Sequence, residues 1–119
     1  MKKPYWIIVG PEESWKTAFS HQDIWGVKEA LYAEWKALDP EDIIFFYVTA
    51  PIGGIIGIGR VATKFIQDRP LWPDEIASGK LIYPYRFEFH VDYLIEQKEW
   101  EIKKFLLNYL PERVEELIS

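Results

Sequence analysis

Cysteine is missing from this chain altogether, which excludes disulfides, thiol nucleophiles and the thiolate-based zinc sites. Histidine stands only at His21 and His90, too few and too far apart in sequence to suggest a metal site. Methionine is confined to Met1 and asparagine to Asn108, while Lys and Glu dominate the charges. So few thermolabile residues are the expected composition of a thermophile's protein. Long hydrophobic runs are missing too. Tyr5-Trp6-Ile7-Ile8-Val9 follows Lys2 and Lys3 but stops at Gly10-Pro11-Glu12-Glu13, too short for a signal-peptide core or a membrane span, so a cytoplasmic location is expected. Positive charge is scarce, with 14 Lys and Arg against 19 Asp and Glu and a net charge of −5. From Asp92 onward four basic residues face seven acidic ones. Bulk, sequence-blind binding of nucleic acid rests on Lys and Arg neutralising phosphates, and this balance argues against it. A local basic rim stays open.

What the chain has in quantity is aromatic. Six Trp, seven Tyr and seven Phe make up 17% of 119 residues, a length that fits one domain over 1–119. Each ring removes a large area from water on burial, so a well-stocked core is one reading and rings left for a ligand is the other.

Tyr5 to Val9 reads as a buried strand. Trp15, Ala18 and Phe19 follow Ser14, a candidate N-cap, at helical spacing. His21 to Lys28 has no period and contains a glycine, so it reads as a loop running into an extended segment. Leu31, Trp35 and Leu38 line a second helical face, stopped by Asp39-Pro40-Glu41-Asp42. Ile43 to Thr49 is a central strand, turned at Pro51 and Gly53-Gly54 into a partner over Ile55 to Val61. Gln67 to Asp74 is a proline-constrained loop around Leu71-Trp72. Tyr83, Tyr85, Phe87, Phe89, Val91 and Tyr93 alternate with polar residues as a half-buried strand, with Pro84 marking an edge or bulge. Ile102, Phe105, Leu106, Tyr109 and Leu110 recur at helical spacing, and Pro111 opens a second short helix with Val114, Leu117 and Ile118. The order predicts an α+β fold, with a mostly antiparallel sheet curled into a small barrel and residues 92–119 as a helical segment packed on it.

Gly57-Ile58-Gly59-Arg60-Val61-Ala62 matches a dinucleotide fingerprint by letter, but that chemistry needs a turn between a parallel strand and a helix. Here the glycines lie inside a hairpin strand and bare one of its faces for another backbone, a ring or a ligand. His90 and Asp92 share a strand face, as a base and its orienting carboxylate would, yet no activated nucleophile adjoins them. Trp15 and Trp35 fall on apolar stripes, and with Trp6 and Trp100 they read as core. Trp25 and Trp72 sit in Gly- and Pro-punctuated segments that no period explains, so each is either a lid on the barrel or a wall for a ligand.

The ordered set Tyr5-Trp6-Ile7-Ile8-Val9, Trp25-Gly26-Val27, Leu38-Asp39-Pro40-Glu41-Asp42-Ile43-Ile44-Phe45-Phe46-Tyr47, Gly54 to Val61, Leu71-Trp72-Pro73 and Tyr83-Pro84-Tyr85-Arg86 resembles the EVE domain of the PUA-like superfamily, in its stand-alone prokaryotic form. The resemblance covers almost the whole chain and least of all its last part. It implies a PUA-like pseudo-barrel with flanking helices. EVE domains are similar to YTH domains, which bind N6-methyladenine in single-stranded RNA through an aromatic cage. The resemblance therefore implies a reader of RNA or DNA carrying a modified base, single-stranded or flipped out, with no cofactor, metal or catalytic residue. By position Trp25 takes the place of the first cage tryptophan and Trp72 that of a second wall. Gly26, Val27 and Lys28 stand where a base edge would be read, while Tyr47, Gly57, Gly59 and Arg86 are candidates for the floor or a phosphate contact. Two rivals remain at this stage. One is a small amidohydrolase similar to ASCH proteins, with Lys28 or His90 as polar catalyst; the other is a protein-interaction module using loop aromatics as anchors.

Overall fold

The computed structural model describes residues 5–106 and 114–118. Its centre is one mixed sheet whose strands lie in the order β2-β5-β4-β3-β1-β6. They are β1 (Tyr5–Gly10), β2 (Ile24–Val27), β3 (Ile43–Val48), β4 (Gly54–Ile66), β5 (Tyr85–Leu94) and β6 (Val114–Ile118). β3, β4 and β5 form the expected antiparallel meander, and β2 adds antiparallel to β5. β1 instead runs parallel to β3 on one side and to β6 on the other. The β1–β3 pairing is possible because the intervening chain is long enough for a crossover. That chain carries α1 (Glu12–Ser20), β2 and, after a 3-10 turn at Glu29–Leu31, α2 (Tyr32–Ala37). With α3 (Pro73–Ser78) and α4 (Trp100–Lys103) flanking the sheet, the fold is an α+β PUA-like pseudo-barrel.

The core is aromatic. Trp15 on α1 is fully buried beside Ile8, Ile44, Phe46, Ile56, Phe87 and Phe89 from the sheet. Its indole packs against Phe19, Phe46 and Phe89, and its N–H donates to the Tyr47 carbonyl at 2.8 Å. Trp6 does the same on β1, donating at 3.0 Å to the buried Asp42 carboxylate. These partners let large heteroaromatic rings be buried without stranding a donor.

Several sequence expectations need correction. α1 begins at Glu12 with Pro11 as its N-cap, so Ser14 lies within the helix. The first-turn acids Glu12 and Glu13 favour that start through the helix dipole. Trp25 sits in strand β2, not in a loop. The segment after Leu71 contains a helix, α3, opened by Pro73 at its first turn. Along β5 the side-chain alternation inverts, because Gly59 pairs with Val91 while Ile58 pairs with Tyr93. The extra residue, Asp92, is a bulge that turns Tyr93 outward and leaves it exposed.

The C-terminal reading changes most. Helix α4 ends at Lys103, and Phe105 bridges antiparallel to Ile55 instead of continuing a helix. Val114, Leu117 and Ile118 belong to strand β6. The apolar positions 114, 117 and 118 are spaced as on a helix, with Glu115 and Glu116 between them, and pairing with β1 overrides that local pattern. Tyr109, Leu110 and Pro111 lie outside the described residues.

Candidate nucleic-acid interface

Strand β2 is four residues long, yet it carries three of the residues the sequence singles out, Trp25, Gly26 and Val27. Trp25 points into the core, fully buried, stacked on Trp15 with ring centroids 4.1 Å apart. Val27 is buried as well, and Lys28, just past the strand, is exposed. Gly26 faces the other way and is covered by Trp72. A Cβ there would come within 2.7 Å of two Trp72 ring carbons and 2.8 Å of the Tyr83 Cβ, so only glycine lets the indole lie on the strand backbone. Trp72 meets Trp25 edge-on, with centroids 6.5 Å apart and planes at 70°. Tyr83 closes the far side of Trp72 at 5.6 Å. One polar atom in this cluster is unmatched: the buried Trp25 Nε1 has no hydrogen-bond partner among the described residues. An orphaned buried donor costs about 1–3 kcal/mol.

Trp72 is held from behind by a group that the sequence reading missed. Glu75 in α3 is completely buried. Its Oε1 accepts from the N–H groups of Leu71 and Trp72 at 2.8 and 3.3 Å, and its Oε2 from those of Ile82 and Tyr83 at 2.9 and 2.8 Å. Oε1 also accepts from Arg86 Nη2 at 3.2 Å. Arg86 stands opposite Gly26 in the β2–β5 register, donates further to the carbonyls of Tyr83 and Arg69, and places its guanidinium 4.9 Å from the Trp72 ring centre. Burial lowers the Arg86 pKa from its ordinary value, and the Glu75 charge opposes that shift. The Tyr83 hydroxyl donates to Asp74, and burial followed by this bond raises its pKa. The readable signal for Glu75 was the spacing Trp72-Pro73-Asp74-Glu75, a proline at the first helical position with a glutamate at the third.

Trp25, Gly26, Trp72 and Arg86 are thus brought together, while the other candidates lie elsewhere. Tyr47 is on β3, half-buried, its carbonyl engaged by Trp15. Gly57 and Gly59 are filled by the Phe46 ring and by β5 carbonyls of Tyr93 and His90, the packing use of a bared strand face. Asp92 does not orient His90. Arg60 grips it through Nε and Nη2 at 2.9–3.2 Å and holds its carboxyl below the usual range. Among the described residues, no cluster of three or more His, Asp or Glu could hold a metal, and no helix is long and apolar enough to cross a membrane. A larger apolar groove of about 750 Å³ lies on β3, β4 and β5, lined by Phe45, Ile55, Ile58, Tyr93 and Phe105.

The family model described as EVE domain matches residues 4–102. The chain is also 32% identical over 74 residues to the uncharacterized protein MJ1369 of Methanocaldococcus jannaschii. That match covers 61% of this chain and 46% of the relative, so the chain spans less than half of the relative's length.

Proposed function

This chain belongs to the EVE domain family, and from that premise we propose that it reads a modified base in single-stranded or flipped-out nucleic acid at the Trp25–Trp72 cluster. The observation that carries the reading is the buried Trp25 indole, whose N–H has no partner among the described residues and whose ring Trp72 meets edge-on. An acceptor on a bound base would satisfy that N–H.

The arrangement described is a closed one. A base stacked between two rings needs about 7 Å between parallel planes, twice an aromatic contact distance. Here the two indoles meet at 70°. Entry therefore requires Trp72 to swing away from Gly26, and its ring then offers a stacking face worth about 1–3 kcal/mol per base, while Trp25 stays stacked on Trp15. Such stacking serves plain and marked bases alike. Discrimination comes from the added group, about 0.8 kcal/mol for one buried methyl by area and about 1–3 kcal/mol, or 10–200-fold, with a shaped pocket.

The test is titration of oligonucleotide pairs that differ only in a methyl mark on adenine or cytosine, in single- and double-stranded form, followed by tryptophan fluorescence. Marked single strands are expected to bind at least tenfold more tightly than plain ones, and duplexes more weakly because unstacking costs a few kcal/mol. Equal affinity for marked and plain strands across both bases overturns the reading. It would favour a protein-interaction role, for which the groove beside the exposed Tyr93 and Phe105 is the supporting observation.

A further inference from the structure

A second cavity, about 420 Å³, opens beside the Trp72 segment, where the turn after α1 faces the chain from Phe65 to Leu71. Its chemistry runs against that of the whole protein. Acids outnumber bases 19 to 14 in the chain, yet no carboxylate lines this cleft, and Arg69, Arg86, His21, Gln22 and Gln67 do.

Arg69 is the distinctive group. Arg60 is clamped by Asp92 and Glu41, and Arg86 by Glu75. The Arg69 guanidinium has no ion pair or hydrogen bond among the described residues, while its own carbonyl is fixed by Arg86 Nη2. Its backbone is anchored and its charge is left for something else. On the facing rim His21 Nδ1 lies 2.9 Å from the Thr17 carbonyl and 3.1 Å from Ser20 Oγ, and Nε2 has no hydrogen-bond partner among the described residues. Gln22 and Asp23 follow with φ of 67° and 58°, a left-handed pair that L-residues rarely adopt. Bonds from Asp23 N–H to Ala18 and from Phe89 N–H to the Asp23 carbonyl hold that turn in place. The Asp23 carboxylate is not part of the cleft.

The cleft also adjoins the base site. Ile24 and Leu71 line it and directly precede Trp25 and Trp72, and Arg86 borders both. We propose that this cleft is a phosphodiester subsite, in which the Arg69 guanidinium, supported by His21 and Gln22, holds one backbone phosphate of a single strand. A guanidinium suits this through its planar, bidentate match to two phosphate oxygens. The identity of the strand rests on the reader function proposed above; the presence of the subsite does not.

The decisive probe is an abasic single-stranded oligonucleotide, which offers phosphodiesters and no base. Binding is followed by NMR at the Arg69 Nε–H and the His21 ring, with inorganic phosphate at matched ionic strength as the second arm. The strand is expected to shift both signals and to saturate far below the phosphate concentration needed. In parallel, Arg69→Gln is expected to weaken a base-bearing strand roughly tenfold at low salt. It should also flatten the slope of log affinity against log salt by about 0.7, the single-strand value for one phosphate. Lys80→Gln, a change at another exposed cation whose side chain has no partner among the described residues, is expected to leave the slope alone. An abasic strand that moves neither signal overturns the proposal, as does inorganic phosphate matching the strand, or an equal effect of the two variants. If marked and plain strands bind equally while the abasic strand still shifts Arg69, the subsite stands and the reader function falls.

Discussion

Trp15 and Trp25 stack on one another, and both are fully buried, yet their indole N–H groups meet opposite fates. Trp15 donates to the Tyr47 carbonyl, whereas the Trp25 donor has no partner. Replacing either by phenylalanine removes a similar area, but only Trp15→Phe also breaks a hydrogen bond. Trp15→Phe is therefore expected to cost about 1 kcal/mol more than Trp25→Phe in urea denaturation. Equal costs would mean that the Trp25 donor is satisfied in solution. Trp25→Ala is expected to lose about 3–5 kcal/mol, the range for a buried aromatic cut back in a core. Phenylalanine at 25 is thus the variant that tests the proposed base contact apart from folding, since it keeps most of the ring and removes the unpaired donor.

Among the elements, α3 is six residues long, too short to be stable by helix propensity alone. Glu75 ties it to the rest, accepting from backbone on both flanks of the helix and from Arg86. Glu75→Gln keeps the shape, but it turns an NH2 toward backbone donors and leaves Arg86 buried without its counter-charge. Breaking a buried pair in this way is expected to cost about 3–5 kcal/mol. Chemical denaturation reads the loss, and an altered tryptophan emission would report that Trp72 has left the Gly26 surface. An unchanged midpoint with unchanged emission would show that α3 is held by packing alone. The same clamp explains why Arg86 is a poor candidate for a phosphate contact and Arg69, on the next segment, a better one.

Across the described residues most positive charge is engaged in ion pairs or hydrogen bonds. Among the described residues only Lys28, Lys36, Arg69 and Lys80 have side-chain charges without an ion pair or hydrogen bond. Single-strand binding is therefore expected to depend shallowly on salt, with a log–log slope of about −0.7 to −2, corresponding to one to three phosphates. A slope of about −4 or steeper, six or more contacts, would require a basic groove that the described residues do not form. Binding of the kind proposed above would draw on rings more than on charge.

The sequence by itself determined β1, the β3–β4 hairpin and β5, because strand runs and turn residues are local signals that survive without knowledge of neighbours. It also determined the order of motifs that marks an EVE domain. Trp25 and Trp72 are grouped by that resemblance, but it does not supply the way the Trp72 indole lies on Gly26. Only the tertiary structure decided that residues 114–118 form a strand, because the spacing of Val114, Leu117 and Ile118 is that of a helix face and only the ladder supplied by β1 overrides it. Only tertiary packing sent Trp25 inward: a large ring carries the incentive to leave water, while the surface that covers it comes from Trp15, ten residues away. The Glu75–Arg86 pair belongs to the same class. A charge is read as exposed unless its partner is known, and this partner lies on another element, eleven residues on.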